Sequence, residues 1–170
     1  MLMTELFLAQ LEAEAKRTRR ALERTPEGLD DWKPHEKSMS LGRLANLVAQ
    51  MPSWVAMIIH RDDLDLSPPG GGSSSGQRSP GTTAERTRAL EQGAAEARQA
   101  LASTTDDHLM KPWRLLVRGQ VVSEEPRHVV LRDVFAHLAH HRGQLTVYLR
   151  LNNLPVPAIY GPSADDARFD

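Results

Sequence analysis

Two histidines near the end of the chain, His137 and His141, have a spacing that suits metal binding on a helix. Residues four apart on a helix lie on the same face, with Cβ atoms about 6 Å apart. Both imidazoles can therefore reach one metal ion, at about 2.1 Å from each ring nitrogen. The same spacing also suits two core histidines that are satisfied by hydrogen bonds within the protein, because buried imidazoles need partners. The spacing leaves both interpretations open.

The helix that carries this pair is predicted to run from about Arg127 to Leu151. Apolar residues recur there at steps of three and four, and the pair continues the stripe between Val134 and Leu145. We therefore expect both rings to point into the protein. His140 lies off this stripe and is expected at the flank of the helix.

The first part of the chain predicts another amphipathic helix. Its apolar stripe consists of Leu8, Leu11, Ala15 and Leu22. Thr4 is the expected N-cap, since a threonine oxygen can accept a hydrogen bond from a free backbone N–H of the first turn. Glu14 and the basic run 16–20 are expected to face solvent.

The middle of the chain predicts two more helices, separated by a linker. The earlier helix begins after Ser40 as its N-cap and continues to Ile58. Pro52 lies within it and lacks a backbone N–H, so we expect a kink there and not a stop. Residues 66–82 are rich in Gly, Ser and Pro and predict an exposed, flexible linker. The later helix is predicted from about Thr83 to Ser103.

A short segment before the last helix has a different period. Residues 113–117 and 120–122 favour β-strands, and Arg118-Gly119 between them favours a tight turn. Together with the four amphipathic segments, this predicts an all-α fold: an antiparallel four-helix bundle with a small β-hairpin before the last helix. We expect a single domain over residues 1–170.

Composition excludes several classes of function. Lys plus Arg number 21 against 22 for Asp plus Glu, and no basic stripe stands out, so nucleic acid is not an expected partner. The absence of cysteine excludes disulfides and thiolate metal sites. No run approaches the roughly 20 apolar residues that span a membrane. We expect a cytoplasmic protein.

Three stretches make the sequence resemble a known family. Residues 32–42, residues 50–54 and the long block 137–165, HLAHHRGQLTVYLRLNNLPVPAIYGPSAD, look like the DinB-like (DinB/YfiT) family. The resemblance covers nearly the whole chain. It implies a four-helix bundle, often a homodimer, with a divalent metal, commonly zinc or nickel, held by three histidines. One of these comes from the second helix, and two come from the HxxxH of the last helix.

The ligand set implied by this resemblance is incomplete here. His137 and His141 match the two ligands of the last helix, but Leu47 occupies the position of the third. Leucine cannot bind a metal, so a cation is expected to be weakly bound or absent. Three outcomes are open: Gln50 or Asn46 replaces the missing ligand, although neutral amides are poor zinc ligands; water fills the position; or the site is metal-free.

Other residues are candidates for the wall of a substrate pocket. They are Gln50, Trp54, Gln144 and Tyr160. Core packing is the safer interpretation of the two aromatic residues, and hydrogen bonding within the bundle is an equal alternative for Gln144. Arg142 suits an ion pair better than a substrate carboxylate. No residue is identified as catalytic.

Three functions remain open at this stage. The leading hypothesis, which follows from the resemblance, is a relative of metal-dependent thiol S-transferases and hydrolases with reduced or altered activity. Its substrate would be a small molecule or thiol. The alternative is a metal-free, non-enzymatic protein that binds a small molecule or a partner. A purely structural dimer module is the third, and the inward histidine pair makes it the least attractive.

Overall fold

The fold is mostly helical with a small three-stranded sheet. A computed structural model describes residues 2–68 and 81–169, so most of the predicted linker, residues 69–80, lies outside the described residues. The helices are α1 (Met3–Leu22), α2 (Leu41–Gln50), α3 (Ser53–His60), α4 (Thr83–Ser103), α5 (Asp106–Leu109) and α6 (Arg127–Leu151). The strands are β1 (Asp63–Asp65), β2 (Pro112–Val117) and β3 (Gln120–Pro126). The predicted positions of α4 and α6 are confirmed.

The start of α1 is capped differently from the prediction. Thr4 lies inside the helix, and the N-cap residue Leu2 has no side-chain acceptor. The carboxylate of Asp106 instead accepts hydrogen bonds from the backbone N–H groups of Met3 and Thr4, at 2.9 and 3.1 Å. Carboxylates suit this position because the first N–H groups of a helix lack intrahelical partners. The predicted Thr4 cap is therefore wrong, and a residue distant in sequence supplies the acceptor.

The predicted second helix is interrupted at Met51 and Pro52. Its start is confirmed, since Ser40 Oγ accepts a hydrogen bond from the N–H of Arg43 at 3.4 Å. The helix then stops at Gln50, and a new helix begins at Ser53. Pro52 has no N–H to donate to the preceding turn. The expected kink is therefore a break into two helices, although Met51 and Pro52 keep helical backbone angles.

The sheet is larger than the predicted hairpin. Strands β2 and β3 pair antiparallel around Arg118 and Gly119, both with positive φ, which suits a two-residue hairpin turn. The hairpin is therefore confirmed. β1 adds a third strand, parallel to β2, which the sequence analysis missed. The Asp65 carboxylate of β1 accepts hydrogen bonds from the N–H groups of both turn residues, at 3.1 and 2.7 Å.

The helices pack around two neighbouring apolar clusters. One joins α1, α3, α4 and the first half of α6, and the other joins the end of α1, α2, α4 and the second half of α6. Trp54 packs against both clusters. In the part of the chain that the structure describes, no helix is long and apolar enough to cross a membrane.

A buried arginine holds the sheet against the helices. Arg127, at the start of α6, donates to the carbonyls of Ile58, Arg61 and Pro112 and forms an ion pair with Asp62. We expect Arg127→Met to lower the free energy of unfolding by at least about 2 kcal/mol, because it leaves several carbonyls without a donor. Urea denaturation followed by circular dichroism measures this change.

Arg132→Met is the matched control on the same helix. Arg132 is exposed, and it forms an ion pair with the neighbouring Asp133, which is also exposed. This variant is expected to change the free energy of unfolding by no more than about 0.5 kcal/mol. Equal losses in the two variants would contradict the role assigned to Arg127.

Candidate functional site

The two histidines that the sequence analysis singled out meet at the surface of α6. Nε2 of His137 and Nε2 of His141 are 2.8 Å apart. His141 is buried, with 8% of its surface exposed, whereas His137 is exposed. The expected inward direction is therefore confirmed for His141 and wrong for His137, which lies at the edge of the buried face. The ring of His137 lies 5.8 Å from the ring of Trp54, between centroids.

Gln144 fixes the orientation of His141. Its Oε1 lies 2.8 Å from His141 Nδ1, and its Nε2 lies 3.1 Å from His140 Nε2. A carbonyl oxygen only accepts, so His141 carries its proton on Nδ1 and has a free lone pair on Nε2. His137 then donates its Nε2 proton to that lone pair. This is the arrangement in which an outer carbonyl prepares an imidazole to bind a cation.

The surroundings of His137 make it a weaker base. Its pKa is lowered, first because the ring has lost part of its water and second because His141 and His140 disfavour another positive charge nearby. At neutral pH the ring is therefore uncharged. An uncharged imidazole is the form that binds metals.

This shift predicts a pH dependence of stability. Near pH 6.5 and below, the unfolded chain binds more protons at residue 137 than the folded chain, so this residue makes the free energy of unfolding fall as the pH falls. His137→Gln removes that contribution. We expect a shallower loss of stability between pH 7 and pH 5, measured by urea denaturation. His60→Gln, at an exposed histidine of α3, is the control, and equal slopes in the two variants would contradict the prediction.

The third ligand position does not supply a donor. Leu47 is half-buried and packs against the cluster that contains Leu138 and Leu145, which flank His141 on α6. Among the residues described, no group of three or more His, Cys, Asp or Glu is placed to hold a metal ion. The side chains therefore fit a two-nitrogen site and do not fit the three-histidine site that the resemblance implies.

The two amides considered as replacements for the third histidine have other surroundings. Asn46 Oδ1 accepts a hydrogen bond from Arg86 Nε at 2.9 Å, so this oxygen already has a donor. Gln50 lines a cavity of about 460 Å³ together with Leu47. Neither His137 nor His141 lines this cavity. Its walls are formed by Asp30, Asp31, Met39, Ser40, Gly42, Arg43, Asn46, Leu47, Gln50 and Arg86.

The structure places the predicted pocket residues at three different locations. Gln144 lies at the pair and Trp54 beside it, whereas Gln50 lines the separate cavity. Tyr160 is 64% exposed and lies against α1, where its ring is under the guanidinium of Arg17. The interpretation of Tyr160 as a wall of the histidine site is therefore wrong.

The hydroxyl of Tyr160 contacts a buried ionic cluster that was not predicted from the sequence. Arg142 Nη1 lies 2.6 Å from Glu14 Oε2, and both side chains are almost wholly buried. Arg142 also donates to the hydroxyl of Tyr160 at 2.6 Å and to Thr18 Oγ1 at 3.1 Å. The preference for an ion pair at Arg142 is confirmed, but Glu14 was predicted to face solvent and does not.

The spacing of residues in α1 already indicated this cluster. Glu14 and Thr18 fall between Leu11 and Leu22 at steps of three and four, so they share the buried face of α1. The charge of Glu14 favoured a solvent-exposed side chain, whereas its position on the helix indicated burial.

Comparisons with known proteins give one family match and one partial sequence match. The model of the DinB family matches residues 1–168. An uncharacterized protein of Bacillus subtilis strain 168, YrdA, is 39% identical over 72 residues, which is 42% of this chain and 41% of the relative. The alignment thus spans about two fifths of that relative's length.

Solved structures show the same fold. A DinB-like protein from Bacillus cereus ATCC 10987 has a TM-score of 0.69 at 20% identity, covering 92% of this chain and 97% of its own. The DinB-like protein YjoA of Bacillus subtilis has a TM-score of 0.65 at 17% identity, covering 87% and 92%. At these identities the likeness concerns the fold alone.

Proposed function

The chain belongs to the DinB family, and from this membership and the histidine pair we propose that it is a metal-site protein related to metal-dependent thiol S-transferases and hydrolases. His137 and His141 are its two protein ligands, and Leu47 reduces or alters its activity by removing the third. We also propose that α1, the α2–α3 segment, α4 and α6 form the four-helix bundle of this family. A homodimer and a cytoplasmic location stay predictions.

The observation that carries the proposal is the convergence of two ring nitrogens. The 2.8 Å between the Nε2 atoms places both nitrogens close enough to share one cation once His137 moves its proton to Nδ1. Gln144 keeps the proton of His141 on Nδ1, so this ring needs no rearrangement. Zinc or nickel suits such imidazole donors.

The side chains around the pair define what the site offers. Trp54 covers one side of His137, whereas the other side is open to solvent. A divalent cation bound there supplies Lewis acidity, which lowers the pKa of a coordinated water or thiol. Two protein ligands leave more positions open to small molecules than three would, at the expense of affinity.

Calorimetric titration of untagged protein with zinc and with nickel tests the proposal. We expect one cation per chain, and we expect His137→Asn and His141→Asn each to weaken binding at least about tenfold, roughly 1.4 kcal/mol. His60→Asn, at an exposed histidine of α3, is the control and should bind like the unaltered chain.

A second candidate function has its own observation. The 460 Å³ cavity beside Leu47 has the size of a small-molecule site and is not lined by the pair. This favours a non-enzymatic small-molecule or partner-binding protein. If the unaltered chain binds neither cation, or if His60→Asn weakens binding as much as the pair variants, the metal-site proposal fails and this alternative replaces it.

A further inference from the structure

The cavity beside Leu47 contains a buried arginine with an unused donor group. Arg86 has 0% of its surface exposed. Its Nε donates to Asn46 Oδ1 at 2.9 Å, and its Nη2 forms an ion pair with Asp30. Within residues 2–68 and 81–169, Arg86 Nη1 has no hydrogen-bond partner. Leaving a buried charged donor unpaired is costly, so this group calls for an acceptor.

The position of Arg86 is set by its surroundings. The guanidinium is a rigid planar fork, so the bonds from Nε and Nη2 fix where Nη1 lies. Asp30 can occupy its observed position only because residue 42 is glycine, since a Cβ there would lie 2.7 Å from Asp30 Oδ1. The backbone N–H of Gly42 also donates to Asp30 O at 3.0 Å. The donor group is thus preorganised by the fold.

The rest of the cavity is suited to a small anion with an apolar body. Arg43 adds a second guanidinium to the wall, and Met39 and Leu47 add apolar surface. The charge of Asp30 is matched by Arg86, whereas Asp31 disfavours a second negative charge in the cavity. These features favour one negative charge over two.

We propose that this cavity binds a small molecule with a single carboxylate, which accepts hydrogen bonds from Arg86 Nη1 and from Arg43. Arginine is the side chain best matched to the planar carboxylate. Because Nη1 has almost no exposed surface, the carboxylate enters by displacing a long side chain of the wall. Met39 and Gln50 are flexible side chains of this wall that can move aside, whereas Arg43 stays as the second donor. The inference does not depend on the metal-site proposal, because the pair does not line this cavity.

The test uses metal-free, ¹⁵N-labelled protein and three probes followed by amide chemical shifts. Benzoate carries the carboxylate on an apolar ring, benzamide is its neutral counterpart, and inorganic phosphate is an anion with more charge. We expect benzoate to shift the amides of Gly42 and Asn46 and to bind at least about fivefold more tightly than benzamide or phosphate. Arg43→Gln should weaken the binding of benzoate at least about fivefold. Arg88→Gln, exposed on α4 outside the cavity, should leave affinity within about twofold.

Three results would overturn the inference: no shift at the cavity amides, benzamide binding as tightly as benzoate, or equal effects of the two arginine variants. Tighter binding of phosphate than of benzoate would also overturn the assignment to a single carboxylate. Because the protein is metal-free throughout, failure here is distinguishable from failure of the metal site.

Discussion

Leu47→His is expected to raise the affinity for zinc or nickel at least about tenfold, roughly 1.4 kcal/mol. Leu47 packs against the cluster whose members Leu138 and Leu145 flank His141, so a histidine there adds a third imidazole to the pair. Three protein nitrogens are the usual number in zinc sites that keep a position open. Calorimetric titration of the variant and of the unaltered chain measures the gain.

Two further variants separate coordination from a general effect at residue 47. Leu47→Met keeps the volume and the apolar character and should show no gain. Leu47→His combined with His141→Asn should lose most of the gain, because the new imidazole then has one partner fewer. If the single variant folds normally, as judged by circular dichroism, and shows no increase in affinity, residue 47 is not opposite the pair.

Glu14→Ala is expected to be among the most destabilising single changes in the chain, lowering the free energy of unfolding by about 3–5 kcal/mol. The Glu14 carboxylate lies 2.6 Å from Arg142 and 2.8 Å from Arg17, and it accepts a bond from the Tyr160 hydroxyl at 3.3 Å. Its removal leaves the guanidinium of Arg142 charged and buried without its counter-ion. Urea denaturation measures the loss.

Glu12→Ala is the matched control, two residues away on the same helix. Glu12 pairs with Arg98, and both side chains are about half exposed, so the loss should stay below about 1 kcal/mol. Glu14→Leu combined with Arg142→Met should recover much of the stability, since apolar residues often replace a buried ion pair without loss. Equal losses for Glu12→Ala and Glu14→Ala would show that burial does not make the difference.

This ionic cluster also bears on the histidine site. Arg142 follows His141 directly in α6, and its guanidinium is bound to Glu14 and Thr18 of α1. These contacts fix the rotation of α6 about its axis at this turn. His141, the residue before Arg142, is buried at the same turn.

The long helices were the most predictable part of the fold. The bounds of α4 and α6 agree with the prediction, because apolar residues at steps of three and four mark a face that must be buried. Capping chemistry was predictable only where it is local. Ser40 caps its own helix, whereas the acceptor for the start of α1 is Asp106, about a hundred residues away.

Features that depend on tertiary contacts were missed. β1 is three residues long and exists because it pairs with β2, so its sequence carries too little pattern to predict it. At the histidine pair, too, local features were predictable and features that depend on tertiary contacts were not. The spacing of His137 and His141 predicted that their rings meet, and Gln144 was recognised as a neighbour, but the exposure of His137 and the remote location of Tyr160 depend on how α6 and the C-terminal tail pack.

The most direct test of the metal site is a crystal structure of zinc-loaded protein with anomalous scattering measured at the zinc edge. We predict one anomalous peak, about 2.1 Å from Nε2 of both His137 and His141, with no ligand from residue 47. A peak bound elsewhere on the chain, or no peak at the pair in fully loaded crystals, would contradict the assignment of these two histidines as the metal ligands.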